Sequence, residues 1–434
     1  MSMPLTRAVD PKPWAPSQKL RAWRTKVFIA TWLSYVGFYF CRKPFSIAKD
    51  AIEVQNHYQP AVTVGNIMAA YLIAYAIGQF LASRVGTWLG PRLNLLIGMA
   101  LSIAVTLLMG ITLSPWLMAG LFAVNGLAQA TGWSGNVATM ANWFHKHERG
   151  KVMGLWATNF QVGSLSAAFA LGAVLGDGKA PTQPWQWCFY LGAAVLAVVW
   201  VQFFFLQRNE PADVGLPAID DPVTPEDESR EPQAEKLTRE QWTNIIIVGG
   251  FYFFAKLIRY TVWSWSAYFL AKNYGLSGKK AAIYSVIFDA AGIPGVYVTG
   301  WISDRFFKSR RAGAALIMML GMTMMALLLV LFGGNSVLVF SLLLGAVGFF
   351  LYGPDALLSG AAAMDIGSRK TALFATATIA MIGALGPIVQ EVIVPRVYNP
   401  KDLGLIFTML FASAIAGSLF CGLLVLRNRH GKGV

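Results

Sequence analysis

The chain has 434 residues, of which 56% are hydrophobic and 13% charged, with a mean hydropathy of +0.53; soluble domains carry about 25% charged residues. That balance excludes a soluble enzyme, a disordered scaffold and a disulfide-rich secreted domain, and leaves an all-α polytopic membrane protein. The formal net charge of +14 is read first as topology, because basic residues gather on the inner side of membrane helices; a nucleic-acid surface would need a folded soluble face.

The first 25 residues are polar, with Pro4, Pro11 and Pro13 near the start. They lead into a span rather than a cleavage site, so a cytoplasmic tail without a cleavable leader is expected. Six apolar segments follow, at 26–46, 61–83, 93–113, 115–142, 152–176 and 185–206. Six more lie at 243–271, 281–303, 312–333, 336–364, 371–395 and 403–426. Each has the length of about 20 residues that a helix needs to cross a hydrocarbon core of ~30 Å. Between the two sets, 207–242 holds ten of the 21 acidic residues, Glu226, Asp227 and Glu228 among them. Its composition is that of a solvated linker. The expected organisation is a tail (1–25), a six-helix bundle (26–206), a cytoplasmic linker (207–242), a second bundle (243–426) and a tail (427–434). Cys41, Cys188 and Cys421 sit within or beside apolar runs and read as small buried residues without metal-ligand spacing.

With the N-terminus placed in the cytoplasm, 24 of the 35 Lys and Arg fall on the inner side and seven, Lys49 and Lys272 among them, in outer loops. Four remain within spans: Arg42, Lys43, Lys256 and Arg259. Charges in spans are costly and face a bundle interior or a water-filled cavity. Arg42 in the first span and Arg259 in the seventh lie at the same depth of equivalent elements, the arrangement of a site on a pseudo-two-fold axis. Lys43 can instead snorkel to the interface. The span acids Asp289, Asp355 and Glu391 leave an excess of positive charge, which points to an anionic ligand; a guanidinium matches a tetrahedral oxyanion bidentately where an ammonium does not.

Helical spacing puts polar and aromatic groups beside these charges. Tyr35, Tyr39 and Arg42 share one face; Tyr252, Lys256, Arg259 and Trp263 share another. Asn125, Gln129, Trp133 and Asn136 form a third stripe, and Tyr71, Tyr75 and Gln79 a fourth. Such stripes face other helices or water rather than lipid, as pocket walls or as packing surfaces. No paired catalytic carboxylates, nucleophile elbow or phosphate-loop motif occurs, so no enzyme, catalytic residue, cofactor or metal is expected. His145 and His147 read as a solvated loop.

The twelve-span plan, with Gly300-Trp-Ile-Ser-Asp304-Arg305 in an inner loop, resembles the major facilitator superfamily. Within it the chain resembles the organophosphate:phosphate antiporters, the glycerol-3-phosphate, hexose-phosphate and phosphoglycerate carriers. The matching stretches are Tyr35-Val-Gly-Phe-Tyr39-Phe-Cys-Arg42-Lys43-Pro-Phe, Asn125-Gly-Leu-Ala-Gln129-Ala-Thr-Gly-Trp133 and His147-Glu148-Arg149-Gly150. They continue with Asn209-Glu-Pro-Ala-Asp-Val-Gly215-Leu216-Pro217, Arg259-Tyr260, Ala291-Gly-Ile-Pro-Gly295 and Tyr352-Gly353-Pro354. The resemblance implies exchange of a phosphorylated small molecule for inorganic phosphate by alternating access. It places Arg42 and Arg259 on the two phosphate-binding arginines, and Lys43, Tyr39, Tyr75, Gln129, Trp133 and Tyr352 near the pocket.

The chain departs from the family pattern where Gln79 replaces a lysine and Phe160, between Asn159 and Gln161, replaces a histidine. Pro387 and Gln390 stand at the eleventh-span positions where the hexose-phosphate branch has charges. Lys256 then supplies the positive group lost at Gln79, and selectivity passes to Asn159, Gln161, Asn125 and Gln390. The expected partners are the phosphorylated substrate, inorganic phosphate and membrane lipid, with no nucleic acid, and the expected form is a monomer in a bacterial inner membrane with both termini cytoplasmic. A transport-like sensor for a sugar phosphate and a carrier of another small organic anion are the alternatives.

Overall fold

The computed structural model describes residues 17–58, 61–180, 182–219, 238–307, 311–358 and 372–430. The acidic run of the linker, Asp365, Arg369, Lys370 and most of the N-terminal tail lie outside them. Fourteen α-helices are described. The N-terminal half holds α1 (Gln18–Gln55), α2 (Val62–Met109), α3 (Pro115–Gln129), α4 (Thr131–Trp143), α5 (Lys146–Trp156), α6 (Asn159–Leu175) and α7 (Trp185–Leu206). The C-terminal half holds α8 (Arg239–Lys272), α9 (Gly278–Ser285), α10 (Ile287–Phe307), α11 (Arg311–Phe332), α12 (Val337–Ala356), α13 (Ala372–Val397) and α14 (Gly404–Arg429).

These helices make twelve membrane crossings. The 48 residues of α2 would run about 72 Å if straight, far beyond one bilayer, and Gly90 divides them. Its φ of +74° and ψ of 159° are non-helical, a backbone state that glycine adopts without a Cβ clash. Pro91 follows and restarts the helix, where its missing N–H costs nothing. The turn is pinned from the linker: Arg92 N–H donates to Asn209 Oδ1 at 2.8 Å. The fourth, fifth and eighth crossings are each built from two short helices, α3 with α4, α5 with α6 and α9 with α10.

Among the described residues, ten helical stretches are long and apolar enough to cross a membrane by length and composition. The first crossing, α1, and the fourth, α3 with α4, complete the twelve. They carry the Arg42–Lys43 pair and the Asn125/Gln129 stripe, so the polar groups that lower their hydropathy are among those singled out from the sequence.

The start of the linker folds against the same end of the N-terminal half. Pro211–Val214 form one 3₁₀ turn, closed by a capping box between Glu210 and Asp213 and ended by Gly215 in the left-handed region. Trp143 Nε1 donates to Arg208 O at 3.0 Å and Lys19 Nζ to Val214 O at 3.0 Å. Nearby, Glu148 pairs with Arg24 at 3.1 Å, and Arg149 donates to the carbonyls of Ala141 and Phe144 at the end of α4, where a cation suits the helix dipole. His145 is buried, at 8% exposure, which corrects its reading as part of a solvated loop.

The two halves meet at the far ends of their helices. On α1 the contacts come from Lys49, Asp50 and Glu53, on α8 from Ser264, Trp265, Tyr268 and Lys272, and on α13 from Glu391. Lys49 Nζ lies 2.8 Å from Ser264 Oγ and 3.6 Å from Glu391 Oε2, and both charged side chains are fully buried. Trp265 Nε1 donates to Glu391 Oε2 at 2.9 Å and the Lys49 ammonium sits 3.6 Å from the Trp265 ring centroid. Lys272 pairs with Asp50 and Glu53, each at 3.0 Å, and Tyr268 donates to Glu53 at 2.8 Å. Backbone bonds from Gly278 to Gly178 and from Lys279 to Gly176 join the loop after α6 to the start of α9. Lys49 and Lys272, counted from the sequence among outer-loop bases, are therefore parts of an interface between the halves.

Gly295 and Gly348 set the spacing of α10 and α12. A Cβ on Gly295 would clash with the carbonyl oxygen of Phe349, and one on Gly348 with that of Phe288. Backbone approach of this kind is what small residues permit between membrane helices, so Gly295 is required by packing, whether or not the helix also bends there.

Candidate functional site

Between the halves lies a cavity of about 790 Å³. It occupies the middle of α1, α8 and α13 and the last turns of α12, on the side of the interface nearer the start of α1, so the structure is closed at the far ends of α1 and α8. Tyr35, Tyr39, Arg42, Tyr75, Gln79 and Trp133 line it from one half and Lys256, Arg259 and Tyr352 from the other. Arg42 and Arg259 lie thirteen residues before the last residues of their helices, Gln55 and Lys272, about 20 Å along the axis at 1.5 Å per residue. The equal depth inferred from the sequence thus holds when counted from the opposite helix ends.

Arg42 is positioned by a relay of buried amides. Its Nε donates to Gln129 Oε1 at 3.0 Å, and Tyr71 Oη donates to the same oxygen at 3.1 Å. Gln129 Nε2 in turn reaches Asn125 Oδ1 at 3.2 Å and Ser102 Oγ at 3.3 Å. Ser102 donates to Asn125 Oδ1 at 2.6 Å, and Asn125 Nδ2 donates to the carbonyl of Cys41 at 3.0 Å. The guanidinium carbon lies 4.9, 5.7 and 5.1 Å from the ring centroids of Tyr39, Tyr71 and Tyr75. These rings shield the charge from lipid and attract it electrostatically. Nη2 of Arg42 is buried and finds no acceptor among the described residues. A buried charged donor of this kind is costly until it is given an anion.

Arg259 is held differently. Its guanidinium carbon lies 4.6 Å from the Tyr352 ring centroid and 5.4 Å from that of Phe160, one from each half. Nη1 donates to Asp355 Oδ2 at 3.0 Å. Lys256, one turn earlier on α8, places Nζ 4.4 Å from the Tyr252 ring centroid. Below them Asp289 joins the halves, accepting from Ser164 at 2.7 Å and from the Tyr352 hydroxyl.

The remaining residues expected at the site do not line the cavity. Lys43 is 2% exposed and its ammonium lies 4.5 Å from the Trp263 ring centroid across the interface. It is buried rather than snorkelling. Asn125 and Gln129 are fully buried behind Arg42. Asn159 is fully buried, with neither amide atom hydrogen-bonded among the described residues. Gln390 is fully buried and donates to Pro387 O at 3.1 Å. The cavity wall adds Tyr252, Tyr260, Ser134, Phe160 and Asp355. The signal for Asp355 was available: it lies three residues after Tyr352, hence on the same helical face.

The chain matches the family model described as Major Facilitator Superfamily over residues 27–390. It is 30% identical over 378 residues to the glycerol-3-phosphate transporter of Bacillus subtilis, covering 84% of this chain and 83% of that one. It is 27% identical over 402 residues to sugar phosphate exchanger 3 of Mus musculus, covering 79% of each. A probable hexose phosphate transport protein of Chlamydia pneumoniae matches at 26% over 377 residues, covering 82% and 81%. Among solved structures, a D-xylose-proton symporter aligns with a TM-score of 0.72 at 14% identity, covering 92% of this chain and 97% of that one. A bacterial homolog of the human lysosomal transporter Spinster, inward-facing and occupied, aligns with a TM-score of 0.67 at 15% identity, covering 94% and 96%. Those two likenesses concern the fold.

Proposed function

Because the chain belongs to the major facilitator superfamily, we propose that it is a secondary carrier that exchanges a small organophosphate for inorganic phosphate by alternating access. It is a transporter and not an enzyme, and an integral multi-pass membrane protein. The observation that carries the substrate class is the placement of Arg42, Lys256 and Arg259 on one cavity, drawn from both halves. The relatives named for glycerol-3-phosphate, sugar phosphate and hexose phosphate support the same class.

The basic residues favour both termini and the linker in the cytoplasm. With that orientation the cavity opens inward and the Lys49–Glu391 interface closes the outer side. The bodies that move are the six-helix halves, 26–206 and 243–426, joined by 207–242. A single chain builds the whole cavity, which supports a monomeric carrier, and the bacterial relatives support a bacterial inner membrane.

A phosphate dianion offsets the mutual repulsion of Arg42 and Arg259, so the halves close around it. The empty carrier retains that repulsion and the cost of burying unmatched charge. A ligand shifts a conformational equilibrium only by its differential affinity for the two states, and here the closed state supplies cations from both halves. Exchange is then faster than empty return.

Counterflow into phosphate-loaded proteoliposomes, against a panel of phosphorylated three- to six-carbon compounds, tests the reading. Uptake that requires internal phosphate is expected; binding without turnover would instead identify a sensor. Lys256→Ala is expected to raise the half-saturating organophosphate concentration about tenfold, in line with one charge-assisted hydrogen bond. An unchanged value would reject Lys256 as the third cationic contact.

A further inference from the structure

The cavity is not a simple trap for negative charge. Arg42, Lys256 and Arg259 line it, and so does Asp355, the one carboxylate among its described lining residues. Asp355 is 9% exposed at its side chain and accepts from Arg259, which is 22% exposed, at 3.0 Å. The other deep carboxylates are engaged outside the cavity wall. Glu391 faces Lys49 at 3.6 Å, and Asp289 is held by Ser164 and Tyr352. Among the described lining residues, three cations and one carboxylate leave two net positive charges, and a phosphate monoester carries about −1.5 to −2 at neutral pH. The match is to the phosphate group alone.

We propose that Asp355 is a specificity-determining residue that restricts this carrier to phosphomonoesters whose remaining part is uncharged, and that it excludes phosphorylated carboxylic acids. The inference rests on the organophosphate reading above and narrows it. A phosphate held by Arg42 and Arg259 lies beside the carboxylate that Arg259 already binds. A second anionic group on the substrate finds no further cation among the described lining residues. It also meets the charge of Asp355 at close range in a poorly screened cavity, where like charges repel strongly. Discrimination arises from this repulsive element as much as from the arginines. The hydroxyls of an uncharged substrate instead meet neutral hydrogen-bonding groups on the wall, those of Gln79, Ser134 and Tyr260.

Glycerol phosphate and phosphoglycerate differ by one carboxylate and serve as probes in phosphate-loaded proteoliposomes. The ratio of their exchange efficiencies is the readout. For the wild-type carrier, glycerol phosphate is expected to exceed phosphoglycerate by at least about 30-fold, a difference of roughly 2 kcal/mol. Asp355→Asn is expected to narrow the ratio to about threefold or less, and Asp355→Glu, which keeps the charge, to retain most of it. Equal efficiencies in the wild-type carrier would overturn the proposal without any variant being needed. So would a full ratio in Asp355→Asn. A wild-type carrier that catalyses no phosphate–phosphate exchange would overturn the parent reading and this one with it, whereas exchange of both probes at equal efficiency overturns this one alone.

Discussion

Arg42→Lys and Arg259→Lys are each expected to reduce phosphate-linked exchange in proteoliposomes by at least about 100-fold, with membrane expression maintained; that factor corresponds to roughly 3 kcal/mol, the loss of one or two hydrogen bonds to a charged group. Lysine preserves the charge, so a site working by Coulomb attraction alone would tolerate it. The structure gives a geometric reason for intolerance. The Nε of Arg42 is committed to Gln129 at 3.0 Å, which orients the rest of the guanidinium, and an ammonium cannot donate to Gln129 and still present a fork to phosphate. At position 259 one nitrogen is taken by Asp355 at 3.0 Å. A lysine there would satisfy Asp355 and have little left for the ligand. Phosphate–phosphate exchange at wild-type rate in either variant would refute the clamp. A normal rate in Arg259→Lys alone would show that phosphate is bound from the N-terminal half.

The parts of this site that could be read in the sequence were those that carry an energetic penalty. A cation inside an apolar segment needs a reason to be there, so Arg42, Lys256 and Arg259 stand out without a structure. Aromatic residues at helical spacing around them identify the wall. Whether a polar residue faces the cavity or stands behind it is decided by helix rotation, by a few tens of degrees. Gln129 and Asn125 lie on the same stripe as the cavity-lining Trp133, yet are buried behind Arg42. A hydropathy window cannot separate a ligand contact from the residue that aims it. The same limit applies to Lys49. The apolar segment ends near residue 46, but the helix runs on to Gln55, because its last turns pack on the opposite half. A residue that reads as a loop lysine is therefore a fully buried ion. Sequence patterning records the contrast between apolar and polar surface; contacts between halves leave little trace in it.

The buried pair that joins the halves at the far ends of their helices sets the second large effect. Removing one partner of a buried ion pair costs about 3–5 kcal/mol, because the other charge is left without compensation. In Glu391→Gln the Lys49 ammonium keeps Ser264 and the Trp265 ring but loses its only carboxylate within 4 Å among the described residues. That cost falls on the conformation seen here, and it falls less on the opposite one, in which these helix ends separate and water reaches Lys49. The equilibrium is therefore expected to move by about 100-fold or more toward the state open at the Lys49 end. Spin labels at Lys179→Cys and Lys280→Cys, exposed sites on opposite halves, report it, since the three native cysteines are buried. Glu391→Gln should add a longer distance to the distribution. The double variant Lys49→Met with Glu391→Gln, which leaves no buried ion at this position, should recover much of the shorter one. If the interface served only the fold, the single variant would lose thermal stability with no second distance. If the charges hold this end closed, the distance would change and exchange would slow, since the carrier would then linger open at the Lys49 end on every cycle. Single and double variants with identical distributions would exclude the pair from gating altogether.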